Sequence, residues 1–465
     1  MLALTGVCSS AQTALPLPIR LALARADLDP QSLALWIAPV DAGAPRLAHQ
    51  PDALLNPASV IKLVTSAAAL DQLGPSYAWT TPVIFGGKVE AGVLKGDLVI
   101  EGRGDPKLVT ERLWLLLRRV QALGVRSISG DIVLDRRAFQ VPEVDPGSFD
   151  GERHRPYNVR PDALSVNYKS LLITLRPEPG RGVALVSVEP ALAGLAAPLE
   201  VRLTDGPCND WRAGLQADFS DPAQLRLAGR FPASCGEKTW PVAPAAPERF
   251  NARAIEAMWR DIGGQLGGRV RDGVRPQGVL ATFEFTSPSL AEVLRDINKY
   301  SNNVMAQQLF LTLSLAQRGL GTWEGSRELT LARVQERAGC GAGELRLDNG
   351  SGLSRDERLT ARCLGRVLQW AWASPWMPEY LASLPIAGEH TARRATAAAG
   401  RAHLKTGSLN NVAALAGYVD AASGRRYVLV AVINHPRAGS DEARALLDAV
   451  LRWTVEDGAE PAARP

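Results

Sequence analysis

Lysine is rare in this chain. Of its 52 lysine and arginine residues only eight are lysines, at positions 62, 88, 95, 107, 169, 238, 299 and 405. A lysine found inside a motif is therefore less readily a coincidence. Histidine is rarer still, with five residues scattered at 49, 154, 390, 403 and 435, and the five cysteines include no Cys-x-x-Cys pair. Without clustered ligands a metal site has little support, and none is expected. No apolar run reaches the roughly 18 residues of a membrane-crossing helix, so membrane association is expected to be peripheral at most. The net charge is only +4 over 465 residues, with no basic block interleaved with aromatics. A nucleic-acid partner is not expected. Gly102 and Gly104 lack the third glycine and following helix of a dinucleotide loop and read as a turn between strands; no cofactor is expected.

What is present is ordinary for a globular protein: 46% hydrophobic and 22% charged residues. The length exceeds one compact core and implies two or three domains. Residues 1–16 are read as a truncated secretory signal, in which Ser9-x-Ala11 suits a small-residue cleavage site. The charged start and most of the apolar core of such a signal are missing, so translation is expected to begin upstream. Val7 precedes Cys8 where a lipoprotein signal would place a small residue. Cys208 and Cys235 lie in polar stretches rich in Pro and Gly, where free thiols would be exposed; a mutual disulfide is expected, which suits an oxidising periplasm. Cys340 and Cys363 are left open between a second bridge and two inert thiols.

Residues 17–26 read as a helix and 32–40 as a strand. Asn56 can cap and Pro57 can open a helix whose apolar spacing runs from Ser59 to Leu73, where Gly74 stops it. From about 80 to 275 the texture is short strands and turns, with 113–123 as a helix among them. Helices return beyond 285, and the end reads strand, strand, helix over 413–419, 426–433 and 441–455. A helix-rich segment with terminal strands is thus split by a β-rich insert, and no internal repeat is visible. Low-complexity sequence is confined to a Pro/Ala-rich stretch at 241–247.

Three short motifs carry chemistry. Ser59-Val60-Ile61-Lys62 puts a hydroxyl and an amine on one face of a helix start, where unpaired N–H groups favour developing negative charge. A lysine partly stripped of water can take the serine proton in place of a histidine. Tyr300-Ser301-Asn302-Asn303 is a polar break between two helical segments, offering a hydroxyl and an amide. Lys405-Thr406-Gly407-Ser408 enters an apolar strand, with a cation and a hydroxyl for a substrate carboxylate and a glycine that lets substrate backbone come close. Each alone reads equally as a solvated helical pair, a cap and turn, or a strand start. Together, once each and in this order, they form the signature of penicillin-binding proteins and serine β-lactamases.

Ser59 and Ser301 lie about 240 residues apart, far more than the β-lactamase spacing allows. With that large insert the chain resembles the peptidase S13 family, the class C low-molecular-mass penicillin-binding proteins. Similar stretches include 94–98, 102–106, 130–135, 157–167, 348–354 and 384–388. Where the family continues its Leu-Pro-x-Ala-Gly with Asp-Gly-Thr, this chain has Glu389-His390-Thr391.

The resemblance implies an α/β (α+β) DD-peptidase domain, serine β-lactamase-like, with an antiparallel sheet and helices. That domain is expected to comprise 17–80 and 276–457. Inserted domains are expected at 81–165 with 246–275 and, β-rich, at 166–245, with a disordered tail at 458–465. It further implies a periplasmic D-alanyl-D-alanine carboxypeptidase/endopeptidase acting on peptidoglycan stem peptides through an acyl-enzyme on Ser59, with β-lactams as covalent inhibitors. Lys62 is the expected base, Ser301 the proton relay and Asn303 the holder of the substrate amide. Lys405 and Thr406 are expected to grip the terminal carboxylate, and the N–H groups of Ser59 and Ser408 to form the oxyanion hole. The alternatives are a β-lactamase or esterase of the same fold and a non-catalytic peptidoglycan-binding protein. The oligomeric state is not legible.

Overall fold

The computed structural model describes residues 14–41, 43–392 and 395–458. The expected leader with Cys8, and the expected tail, fall outside the described residues except at 14–16 and 458. The chain forms two compact units. One comprises the residues up to Ser76, Leu290–Asn302 and those from Trp323 onward; the other comprises Tyr77–Ser289 and Asn303–Thr322.

The first unit is built on five antiparallel strands: β1 (Leu33–Pro39), β2 (Leu47–His49), β3 (Ala402–Leu409), β4 (Val412–Asp420) and β5 (Arg426–Asn434). Their order is β2-β1-β5-β4-β3, which leaves β3 at an edge. β4 and β5 are buried along almost their whole length. Their sequences are near-continuous apolar runs because both faces of the sheet are covered. On one face Leu35, Leu415, Leu429 and Ile433 pack with α1 (Leu17–Arg25) and α5 (Asp441–Val455). On the other lie α2 (Lys62–Leu73) and α4 (Ala361–Ala373). The Tyr418 hydroxyl of β4 donates to the Leu368 carbonyl of α4 at 2.7 Å. A Cβ on Gly365 of the same helix would stand 2.1 Å from Trp36 Cδ1, so only glycine lets α4 lie this close to β1. Capping fixes the helix starts. Ser440 Oγ accepts from the Ala443 N–H before α5, and Thr360 Oγ1 accepts from the Cys363 N–H before α4. A further helix, α3 (Leu290–Lys299), ends beside the second motif.

The second unit holds the expected β-rich texture. One five-stranded sheet joins Ala78–Phe85, Leu98–Glu101, Ile132–Asp135, Val270–Asp272 and Phe283–Ser289. Another joins Leu171–Glu178, Val183–Glu189, Glu200–Thr204, Phe231–Pro232 and Lys238–Val242. The helices Thr110–Ala122 and Phe250–Asp261 supply Leu113, Leu116, Leu117, Phe250, Ile255 and Trp259 to its core.

The compact units part at Ser76/Tyr77 and Ser289/Leu290, a few residues from 80/81 and more than ten from 275/276. Phe283–Ser289 pairs with Ala78–Phe85, which draws both strands into this unit. The helix Asn303–Arg318 also groups here. Its Gln308 brackets Asp162, accepting from the Asp162 N–H at 3.0 Å and donating to the Asp162 carbonyl at 2.8 Å.

Cys208 and Cys235 are disulfide-bonded in the second unit, and Cys340 and Cys363 form a second bridge in the first. Among the described residues no helix is long and apolar enough to cross a membrane, and no three His, Cys, Asp or Glu are grouped to hold a metal.

Candidate active site

Ser59 sits in a tight 3-10 turn, Ala58–Ile61, which passes into α2 at Lys62. The α-helix therefore begins one turn later than the expected start at Ser59, and the reason lies in how Asn56 is held. Its side-chain oxygen accepts from the Ala58 N–H at 2.9 Å. Its backbone is clamped by the Asn434 side chain at the end of β5, with bonds of 2.7 and 3.0 Å. Ala58 is driven to φ +45°, a left-handed conformation that alanine avoids, directly before the serine.

Lys62 is wholly buried. Its Nζ lies 3.2 Å from Ser59 Oγ and also donates to the Ser351 carbonyl. Three residues on, on the same helix face, Thr65 donates to the Gly350 carbonyl at 2.7 Å. The segment 348–354 is thus the floor on which the Ser-x-x-Lys turn rests. A Cβ on Gly352 would stand 2.2 Å from the Ala58 carbonyl. Sequence reasoning marks this segment only as a likeness to the family and assigns it no part in the site.

Ser301 follows α3, whose buried Asn298 ties it to α2 by donating to Ser66 Oγ at 3.1 Å. Ser301 has φ +56°, a second left-handed non-glycine residue. Its hydroxyl accepts from Lys405 Nζ at 2.8 Å, and the same ammonium donates to the Thr406 carbonyl at 2.8 Å.

Lys405 lies on the edge strand β3 and is fully buried. Gly407, two residues on and so on the same face of the strand, abuts the Ser59 turn. A Cβ there would be 2.9 Å from the Pro57 carbonyl and 3.1 Å from the Ser59 nitrogen. The Ser59–Lys62 and Ser301–Lys405 pairs therefore share one place in the first unit. Thr406 is half-buried and Ser408 is exposed, opposite Ala413 in the ladder. Asn303, two residues beyond Ser301, is the first residue of the helix Asn303–Arg318 of the second unit.

Burial governs the electrostatics. It is the main cause that holds the Lys62 pKa well below the ordinary lysine range; the charge of Lys405 adds to this and that of Glu357 opposes it. Burial likewise lowers Lys405 to about 7. An amine whose hold on its proton is weakened by burial, within reach of a serine hydroxyl, is suited to general-base work.

Comparison with known proteins follows the same line. The fold is that of a penicillin-binding protein. The crystal structure of penicillin binding protein 4 (dacB) from Haemophilus influenzae superposes with a TM-score of 0.75 at 22% identity, covering 92% of this chain and 96% of that one. The same protein complexed with a β-lactam gives 0.72 at 21% identity, covering 96% and 100%. A D-alanyl-D-alanine carboxypeptidase from Actinomadura sp. is 30% identical over 417 residues, covering 83% of this chain and 74% of the relative. The D-Ala-D-Ala carboxypeptidase 3 (S13) family model matches residues 19–456, and the chain belongs to that family. It is a serine DD-peptidase.

Proposed function

We propose that this DD-peptidase works through an acyl-enzyme on Ser59 and acts on peptidoglycan stem peptides, as a carboxypeptidase and on cross-links as an endopeptidase. The observation that carries the reading is the pairing of two buried lysines with two serines, Lys62 with Ser59 at 3.2 Å and Lys405 with Ser301 at 2.8 Å. Neutral Lys62 takes the Ser59 proton as Oγ attacks the carbonyl of the penultimate D-alanine. The N–H groups of Ser59 and Ser408 stabilise the oxyanion, each donor supplying roughly 3 kcal/mol by analogy with other enzymes. Ser301 relays the proton to the leaving amine, and Asn303 holds the substrate amide, the role its motif assigns. Lys405 and Thr406 grip the terminal carboxylate, whose charge favours the protonated form of Lys405. Water then releases the acyl group.

β-Lactams, one of which is bound in a relative of the same fold, acylate Ser59 and leave slowly. The exported, periplasmic setting fits the two disulfides. The insert is read as two domains, parting near 165 and 246 at the borders of the sheet formed by residues 171–242.

Fluorescent penicillin labelling of wild type and Ser59→Ala tests the nucleophile: equal labelling removes Ser59 from the role. Release of D-alanine from a D-Ala-D-Ala peptide, with slow loss of bound penicillin, separates the peptidase from a β-lactamase, an esterase or a non-catalytic binder.

A further inference from the structure

A base must present its lone pair to the hydroxyl it deprotonates, so the amine hydrogens of a neutral Lys62 have to be taken up by other oxygens. The Ser351 carbonyl is one of these acceptors, and its position depends on the turn that carries it. Gly350 and Gly352 have φ of +69° and +87°, so the backbone reverses sharply on both sides of Ser351. Asn349 ties the turn internally, its side-chain oxygen accepting from the Ser351 N–H at 3.0 Å and from Ser351 Oγ at 2.6 Å.

The turn is anchored from below by one side chain. Glu357 has no solvent exposure. Its Oε1 accepts from the N–H groups of Gly350 at 2.9 Å and Asn349 at 3.1 Å, with that of Asp348 at 3.4 Å. Its Oε2 is buried with no hydrogen-bond partner. A carboxyl group placed this deep is costly to keep unless it has a task. Here Oε1 gathers backbone donors that would otherwise be orphaned, and so fixes the carbonyls of Gly350 and Ser351 that receive Thr65 and Lys62.

We propose that Glu357 is a positioning residue for the reaction, holding the 348–351 turn so that its carbonyls aim the Lys62 amine at Ser59. The inference rests on Lys62 being the base. Glu357 also reaches Lys62 through its charge, which favours the protonated amine and opposes the effects of burial and of Lys405. Burial, joined by the charge of Asp348, raises Glu357 itself to about 7 against the pull of its backbone donors. Lys62, Lys405 and Asp348, the last with Arg327 at 3.7 Å, are thus charged groups that enter a titration of this place.

The test is the second-order rate of acylation by a fluorescent penicillin, followed against pH for wild type, Glu357→Ala and Glu357→Gln, with Ser59→Ala and Lys62→Met as controls. Glu357→Ala frees the turn and is expected to slow acylation about 30-fold, the scale of a misaligned reacting group. Glu357→Gln keeps an acceptor on the turn and is expected to rescue most of that loss. It also removes the negative charge, so its acid limb moves to lower pH, a change that a purely structural residue would not produce. If Glu357→Ala fails to fold, the displaced limb of Glu357→Gln carries the test. Wild-type rates and an unmoved limb in the Glu357 variants, with Ser59→Ala silent and Lys62→Met strongly slowed, overturn the positioning role alone. Labelling of Ser59→Ala, or labelling of Lys62→Met at the wild-type rate, overturns the underlying reading instead.

Discussion

Two sets of buried lysines divide the molecule. In the first unit Lys405 donates to two neutral oxygens, the Ser301 hydroxyl and the Thr406 carbonyl, while Lys62 donates to the Ser59 hydroxyl and the Ser351 carbonyl and also feels the charge of Glu357. In the second unit Lys169 lies 2.5 Å from Asp162, a carboxylate that also accepts from Arg136 at 2.9 Å. Burial alone would push Asp162 up, but Lys169 and Arg136 hold its pKa below the ordinary value. The same residue type is buried for opposite ends. The lysine beside a carboxylate braces the fold, whereas burial among neutral oxygens brings the pKa of Lys405 down to about 7. Scarcity of lysine made the motif lysines conspicuous, but only this difference in partners says which of the buried ones can do chemistry.

The strongest test of that division is to remove each lysine in turn. Lys62→Met should lower the rate of penicillin acylation about a thousandfold, within the range set by loss of a general base. Its melting temperature should hold or rise, because a desolvated amine is replaced by a side chain of similar length. Lys169→Met should do the reverse. Acylation by the folded protein should persist, while stability in urea falls by about 3 kcal/mol, since a buried carboxylate loses one of its two cations. A Lys169 variant as stable as wild type would erase the contrast between the units.

The chain itself announced one side of this comparison and concealed the other. Ser59, Lys62, Ser301 and Lys405 were legible because short motifs fix residue types at helix starts and strand edges. The terminal strands and the helix after them were legible as a strand, strand, helix run over 413–455. Glu357 was invisible, because its partners are backbone N–H groups that any residue supplies. The left-handed Ala58 and Ser301 were hidden as well, since nothing local asks for φ above zero there; the clamp on Asn56 comes from Asn434, 378 residues away. The grouping of the helix Asn303–Arg318 with the second unit was hidden for a similar reason. Gln308 binding the backbone of Asp162 is a contact between distant segments that no periodicity records.

A gentler probe of the comparison is pH. Lys405 titrates at about 7 in the folded protein against an ordinary 10.5. Between those values the unfolded chain carries the proton and the folded chain does not. Unfolding therefore takes up protons, and stability rises with pH across this window. Glu357 acts below it: raised from 4.5 to about 7, it contributes stability that is complete below 4.5 and is lost as pH climbs through about 7. Subtracting the urea stability of Lys405→Met from that of wild type at each pH isolates the lysine. The difference should change by of order 2 kcal/mol between neutral pH and pH 10, in favour of wild type. Asp162, with its lowered pKa, works at the other extreme, adding stability above its ordinary 3.8 that is lost only as pH falls further. A flat difference curve would mean that Lys405 keeps its proton despite burial.

The smallest effect should come from closing the gap between β3 and the Ser59 turn. Gly407→Ala places a methyl 2.9 Å from the Pro57 carbonyl, 3.1 Å from the Ser59 nitrogen and 3.2 Å from Ala58 Cβ. None of these neighbours is a flexible chain end, so the turn or the strand edge has to move by a few tenths of an ångström. That displacement reaches the Ser59 N–H, an oxyanion donor in the proposed mechanism, and leaves the Lys62–Ser351 contact in place. Acylation should therefore slow by about tenfold, with its acid limb where wild type has it. Global stability should change by about 1 kcal/mol or less, because the contact lies at a sheet edge and not in the core between α5 and β5. Rate loss with an unmoved pH profile separates a disturbed oxyanion donor from a disturbed base, which is the distinction that the Glu357 and Lys62 variants draw from the other side.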